Sequence, residues 1–167
     1  MAGAVDLEDL IDDMKAELSV PGTTTYANST DAQWVSQLRI AFWEVVLDQI
    51  ISGYTETDGI VTPVSGDTAL ARELQQVIIF YAGLKVVRNR LMDLKTSFRA
   101  KAGQAEYETQ QSAQVLSALY KGLLQKRDDW VSYLGASGFT GVSYYIDTVS
   151  ARDWNYAMGI GSVDGLY

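Results

Sequence analysis

Apolar residues recur at helical spacing over four stretches of the chain. In DLEDLIDDMKAEL, Leu7, Leu10, Ile11, Met14 and Leu18 fall on one face, and Glu8, Asp9, Asp12, Asp13 and Glu17 on the other. Asp6 is placed to cap this first helix and Val5 to staple against Leu10, while Pro21-Gly22 ends it. Thr30 and Gln33 have the spacing of a capping box for a second helix reaching about Ile51, with Gly53 as its stop. Trp34, Leu38, Ala41, Val45 and Leu47 to Ile51 supply its apolar faces.

Asp67 is placed to cap a third helix, in which Leu70, Leu74, Val77, Tyr81, Leu84 and Leu91 form one stripe. Ile79, Val86 and Val87 form a second stripe, so the middle of this helix is expected to be buried on two sides. A fourth helix is expected from about Thr109 to Leu134, with Leu116, Leu119, Tyr120, Leu123, Trp130 and Leu134 inward and Gly135 as its end. Four such helices predict an all-α fold, a four-helix bundle occupying residues 1–135.

Three stretches break the helical period. YTETDGIVTPVSG places Asp58-Gly59 between β-prone residues, which favours a small hairpin or a tight loop. Between helices three and four, Phe98, Ala100 and Ala102 alternate with Arg99 and Lys101, and Ala105 and Tyr107 alternate with Glu106 and Glu108 beyond Gly103. Folded at Ala102-Gly103, this segment would set Arg99 opposite Glu106 and Phe98 opposite Tyr107, an extended β-hairpin-like arm over 96–108. A lone two-stranded hairpin is marginal in water, so the arm is expected to lean on a neighbour. After Gly135 the composition shifts: residues 136–167 carry five glycines and six aromatics but no lysine. Trp154, Tyr156, Met158 and Ile160 alternate there with Asn155, Ala157, Gly159 and Gly161, the pattern of an extended C-terminal interaction tail with one apolar face.

Composition narrows the chemistry. The 167 residues are 47% hydrophobic and 20% charged, a globular balance with a formal net charge of −8. Such acidity disfavours general nucleic-acid binding. With no cysteine there is no thiolate or disulfide chemistry, and with no histidine there is no Ser-His-Asp site and no Cys/His zinc site. The Glu-x-x-His signature of di-iron bundles is missing for the same reason. General acid–base work would rest on carboxylates with no motif to place them, so no enzyme, cofactor or metal is expected. Glu44 and Asp48 read as a solvated i, i+4 pair, and Asp9, Asp12 and Asp13 as the wet side of a helix. GIGSVDG has neither the spacing nor the following helix of a dinucleotide loop. The acidic N-terminal stretch lacks the apolar core of a secretory leader, and the longest apolar run, Val77 to Leu84, is too short to span a membrane. A soluble protein is expected.

Charge is also segregated. From Lys85 to Lys101 the chain carries six of its 13 basic residues, Lys85, Arg88, Arg90, Lys95, Arg99 and Lys101, and one acid, Asp93. The acidic face of the first helix has the opposite sign, so copies standing side by side can meet head to tail, a contact able to close into a ring. The basic stretch is open to three readings: contact with a neighbouring copy or partner, a solvated helix face, or sequence-independent contact with DNA phosphates.

The segment LKTSFRAKAGQAEYETQQSAQVLSALYKGLL resembles the corresponding segment of head–tail connector (adaptor) proteins of tailed bacteriophages. The likeness lies in its order: helix, basic stretch, glycine, acidic and β-prone stretch, amphipathic helix. The form FRAKAG-x-x-EYE-x-Q-x-SA is similar to versions from phages of actinobacteria, and the likeness covers roughly residues 70–130. The resemblance implies a small helical protein of the virion, assembled in the host cytoplasm. It implies a ring, typically twelvefold, beneath the portal protein, which extends the DNA channel and docks head-closure or tail proteins. Genomic DNA would pass without sequence-specific contact. It also implies a subunit or portal interface at Phe98, Arg99, Lys101, Gly103, Glu106, Tyr107 and Glu108 and at Trp154, Tyr156, Met158 and Ile160, with Lys85, Arg88, Arg90 and Lys95 facing the channel or a neighbour. The alternative is a stand-alone helical adaptor binding a cellular protein or nucleic acid.

Overall fold

A computed structural model describes residues 3–19, 29–66, 68–98 and 104–136, with backbone alone at 95–98 and 104–111. The chain is mostly helical with a small antiparallel sheet. Strand β1 (Val5–Asp6) leads through a 3₁₀ turn (Leu7–Leu10) into helix α1 (Ile11–Leu18). Helix α2 (Asp31–Leu47), the hairpin β2 (Tyr54–Thr57) and β3 (Ile60–Pro63), and the long helices α3 (Arg72–Phe98) and α4 (Gln104–Ala136) follow. The hairpin lies where Asp58-Gly59 predicts a hairpin or tight loop, and β1 extends it into a sheet in the order β1-β3-β2, which corrects the all-α class.

Local chemistry accounts for most of the element ends. The Asp6 carboxylate accepts from the Glu8 N–H at 2.9 Å, as its capping position predicts. Val5, expected to staple the helix, is half-buried against the core and also pairs through its backbone with Val61 on β3. Thr30 and Gln33 form the reciprocal capping box at the start of α2. That helix stops short of Gly53. Gln49 takes a left-handed conformation (φ 60°), its N–H bonds to the Val46 carbonyl, and the Ile50 N–H bonds to the Val45 carbonyl. This is a Schellman closure made without glycine, held by burial of Val45 and Ile50. The Asp58-Gly59 turn has positive φ at both residues, 53° and 87°, the type I′ geometry that joins two-residue hairpins. α3 begins at Arg72, later than a cap at Asp67 predicts, and Asp67 itself lies outside the described residues.

One hydrophobic core serves all the elements. α3 packs against α1, α2 and α4, and Val77, Ile78, Ile79 and Phe80 are buried in succession. The two-sided burial read from its two stripes is therefore observed. Phe42, Leu38 and Val45 come from α2, Met14 and Leu18 from α1, and Leu116, Leu123 and Leu134 from α4. Burying each such side chain is worth about 1.5–3 kcal/mol. At Gly83 a Cβ would lie 3.4 Å from Leu123 Cδ1 and 3.6 Å from Leu18 Cδ2, so α1 and α4 both rest on α3 at this point.

The extended arm predicted for 96–108 is corrected. Phe98 is the last residue of α3, and Glu106, Tyr107 and Glu108 lie in the first turns of α4. The helical backbone at both Phe98 and Tyr107 removes their cross-strand pairing. The physical reason is cooperativity: Gln104, Ala105 and Glu106 are good helix formers that extend an existing helix, whereas a lone hairpin has no face to bury. Arg99 to Gly103 lie outside the described residues, as does the tail carrying Trp154, Tyr156, Met158 and Ile160.

Candidate functional site

The polar chemistry of the described residues gathers around α2. On one side the hairpin delivers Glu56, the one buried charged side chain among the described residues, with 2% of the side chain exposed. Its carboxylate receives the Gly59 N–H at 2.7 Å, the Trp43 indole N–H at 3.1 Å and the Arg39 guanidinium at 2.7 Å. Alternation along β2 puts Glu56 on the inner face of the sheet beside Val61, and helical spacing puts Arg39 and Trp43 one turn apart on α2. Burial by itself would raise the Glu56 pKa. The Gly59 N–H, the Trp43 indole and the Arg39 charge outweigh it and hold the carboxyl below its ordinary value. The knot therefore ties the hairpin turn to α2 through a carboxylate whose ionised form is favoured by its three N–H donors.

On its other side α2 meets α3 through Glu44 and Asp48. Glu44 pairs with Lys85, and Asp48 accepts a 2.7 Å hydrogen bond from the Tyr81 hydroxyl. The solvated pair read from sequence is thus a pair of inter-helix ties. Burial, then the Asp48 hydrogen bond and charge, push the Tyr81 phenol up. Arg127 of α4 stacks over the Tyr81 ring at 5.5 Å and pairs with Asp128, joining α4 to the same cluster. Lys126 reaches Glu17 on α1 at 2.6 Å.

The outward face of α2 is apolar. Ile40, Trp43 and Leu47 occupy one stripe at i, i+3 and i+7, with 43%, 43% and 77% of their surfaces exposed. Trp43 belongs to both features, its ring on the stripe and its N–H on Glu56. Near the start of α2, Glu8, Asp31, Ala32, Val35, Ser36 and Arg39 line a shallow open hollow of about 420 Å³. Nothing in it pairs a nucleophile with a base, and Arg39 is already committed to Glu56. Among the described residues no group of three or more acids, histidines or cysteines is placed to hold a metal ion, and no helix is long and apolar enough to cross a membrane.

The residues singled out by sequence separate into three sets. Lys85 is half-buried and paired within the subunit, which removes it as a free channel-facing cation. Arg88 and Arg90 are exposed on α3 and make no ion pair among the described residues, and the Lys95 side chain lies outside them. Phe98, Glu106, Tyr107 and Glu108 stand on helical backbone flanking the α3–α4 junction, and Arg99, Lys101 and Gly103 fall outside the described residues. Asp9 in the 3₁₀ turn and Asp12 and Asp13 on α1 are exposed, as the wet-face reading expects. Sequence reasoning missed Glu56, Arg39 and the outward stripe of α2. A glutamate in the middle of a β-prone run two residues before Asp58-Gly59 was the available signal for Glu56. Compared with known proteins, the chain matches no family model, no curated protein and no solved structure.

Proposed function

We propose that this protein is a structural head-to-tail adaptor of a tailed phage, assembling as a ring beneath a portal, extending its channel and docking head-closure or tail proteins. The reading starts from the resemblance of residues 70–130 to connector proteins. The observation that carries it further is charge segregation left unneutralised within one copy. Asp9 in the 3₁₀ turn, Asp12 and Asp13 on α1, and Arg88 and Arg90 on α3 are exposed and form no ion pairs among the described residues, whereas Glu17, Glu44 and Lys85 are satisfied internally. Exposed charges of opposite sign at separate places on one molecule support a head-to-tail contact, the kind that closes into a ring. The corrected arm shifts the proposed interface from a hairpin to these helix faces and to the α3–α4 junction.

Native mass measurement of the full chain, alone and with a portal, tests the proposal. The expected result is a high-order ring, formed on the portal surface, that weakens as salt rises. A protein that stays monomeric with every portal offered and binds duplex DNA tightly overturns it in favour of the stand-alone adaptor.

A further inference from the structure

β2 is an edge strand, since the sheet order is β1-β3-β2. The register fixes which of its backbone groups are open. The Val64 N–H bonds to the Gly53 carbonyl, so the ladder toward β3 uses Gly53, Thr55 and Thr57. The N–H and C=O groups of Tyr54 and Glu56 therefore point away from β3, and no strand pairs with them among the described residues. Beside this edge stands the exposed stripe Ile40, Trp43 and Leu47, joined to it by the Trp43–Glu56 hydrogen bond. An open edge next to an apolar helix face is the geometry that accepts an added strand: the edge binds its backbone and the stripe binds alternate side chains.

The chain carries one segment outside the described residues that fits such a site. Trp154, Tyr156, Met158 and Ile160 alternate with Asn155, Ala157, Gly159 and Gly161, giving one bulky apolar face and one face of small residues. No proline interrupts it to remove a ladder N–H, and no charge falls between Trp154 and Ser162. We propose that residues 154–160 of a neighbouring copy add to the outer edge of β2 and lay their apolar face on Ile40, Trp43 and Leu47. This rests on the ring reading, because the occupant is a second copy.

The test replaces Leu47, the most exposed of the three, with the photo-crosslinking residue p-benzoylphenylalanine in the full chain, assembled on portal from equal amounts of 14N and 15N protein. Trypsin cuts after Arg152, so the tail is released as the peptide Asp153–Tyr167. The expected product joins that peptide of one isotope to the α2 peptide of the other, and is lost in the double variant Tyr156→Asp, Ile160→Asp. The same crosslinker at Lys121, exposed on α4, is expected to leave the tail peptide free. Cross-links within one isotope only, to another segment, to the portal, or none at all overturn the inference. The mass of the same sample separates the two ideas: a ring with no tail cross-link sinks the docking site alone, and no assembly sinks both.

Discussion

α2 is tied to its neighbours by carboxylates on two sides, and the two junctions differ in everything but the functional group. Toward the hairpin, Glu56 is sealed from solvent and satisfied by a backbone N–H, an indole N–H and a guanidinium. Toward α3, Glu44 keeps 40% of its side chain exposed and has one lysine, with Asp48 and Tyr81 beside it. Water competes for Glu44 in the folded state and is shut out from Glu56. The same Coulombic attraction therefore counts for little at the Glu44 junction and for much at the Glu56 junction, where removing one member leaves the rest unsatisfied.

The sharpest break of this comparison is Glu56→Ala. It orphans the Gly59 and Trp43 donors, and the loss is expected to be about 2–3 kcal/mol, read from the urea midpoint, since the surviving Arg39 charge is part-exposed. A pH series sharpens it. Folding lowers the Glu56 pKa, so its contribution is present above the ordinary glutamate range and is lost as pH falls through the lower folded value. The stability gap between the wild type and Glu56→Gln is accordingly widest near neutral pH and closes in acid; a gap that widens in acid would contradict the charged knot. Next in size is Gly59→Ala, which forces a side chain into φ 87° with Val35 Cγ1 only 3.3 Å from the new Cβ, at an expected cost of about 1–2 kcal/mol in thermal or chemical melts. Glu44→Ala is expected to cost about 0.5 kcal/mol, and less at high salt, because its ion pair is screened. The smallest effect has the opposite sign: Gln49→Gly relieves a left-handed non-glycine at the end of α2, partly offset by glycine's backbone entropy, and is expected to raise stability by about 0.3 kcal/mol.

The candidate site was less legible than the helices around it. The spacing Trp43–Leu47 reads as core in a sequence, since apolar residues on a helix normally face inward. Trp34, Leu38, Ala41 and Val45 are buried as their spacing predicts, together with Phe42, but only packing reveals that Ile40, Trp43 and Leu47 lie outside. Glu44 and Asp48 look solvated until α3 brings Lys85 and Tyr81 against them. Glu56 looks like an ordinary outward-facing strand residue until the hairpin folds back on α2.

Residue pattern alone determined the features that depend on neighbours in the chain. These are the Asp6 and Thr30 caps, the Asp58-Gly59 turn, the doubled stripe of α3 and the absence of thiol and imidazole chemistry. Each rests on hydrogen bonds or sterics within a few residues, or on composition itself. Tertiary structure decided the rest. β1 pairs with β3 across more than fifty residues, Gln49 ends α2 because Ile50 finds a buried place, and α3 reaches Phe98 and α4 starts at Gln104 where alternation pointed to strand. Alternating residues have no strand to form without an edge to bond and a face to bury, whereas a helix satisfies its own backbone and needs only the next turn.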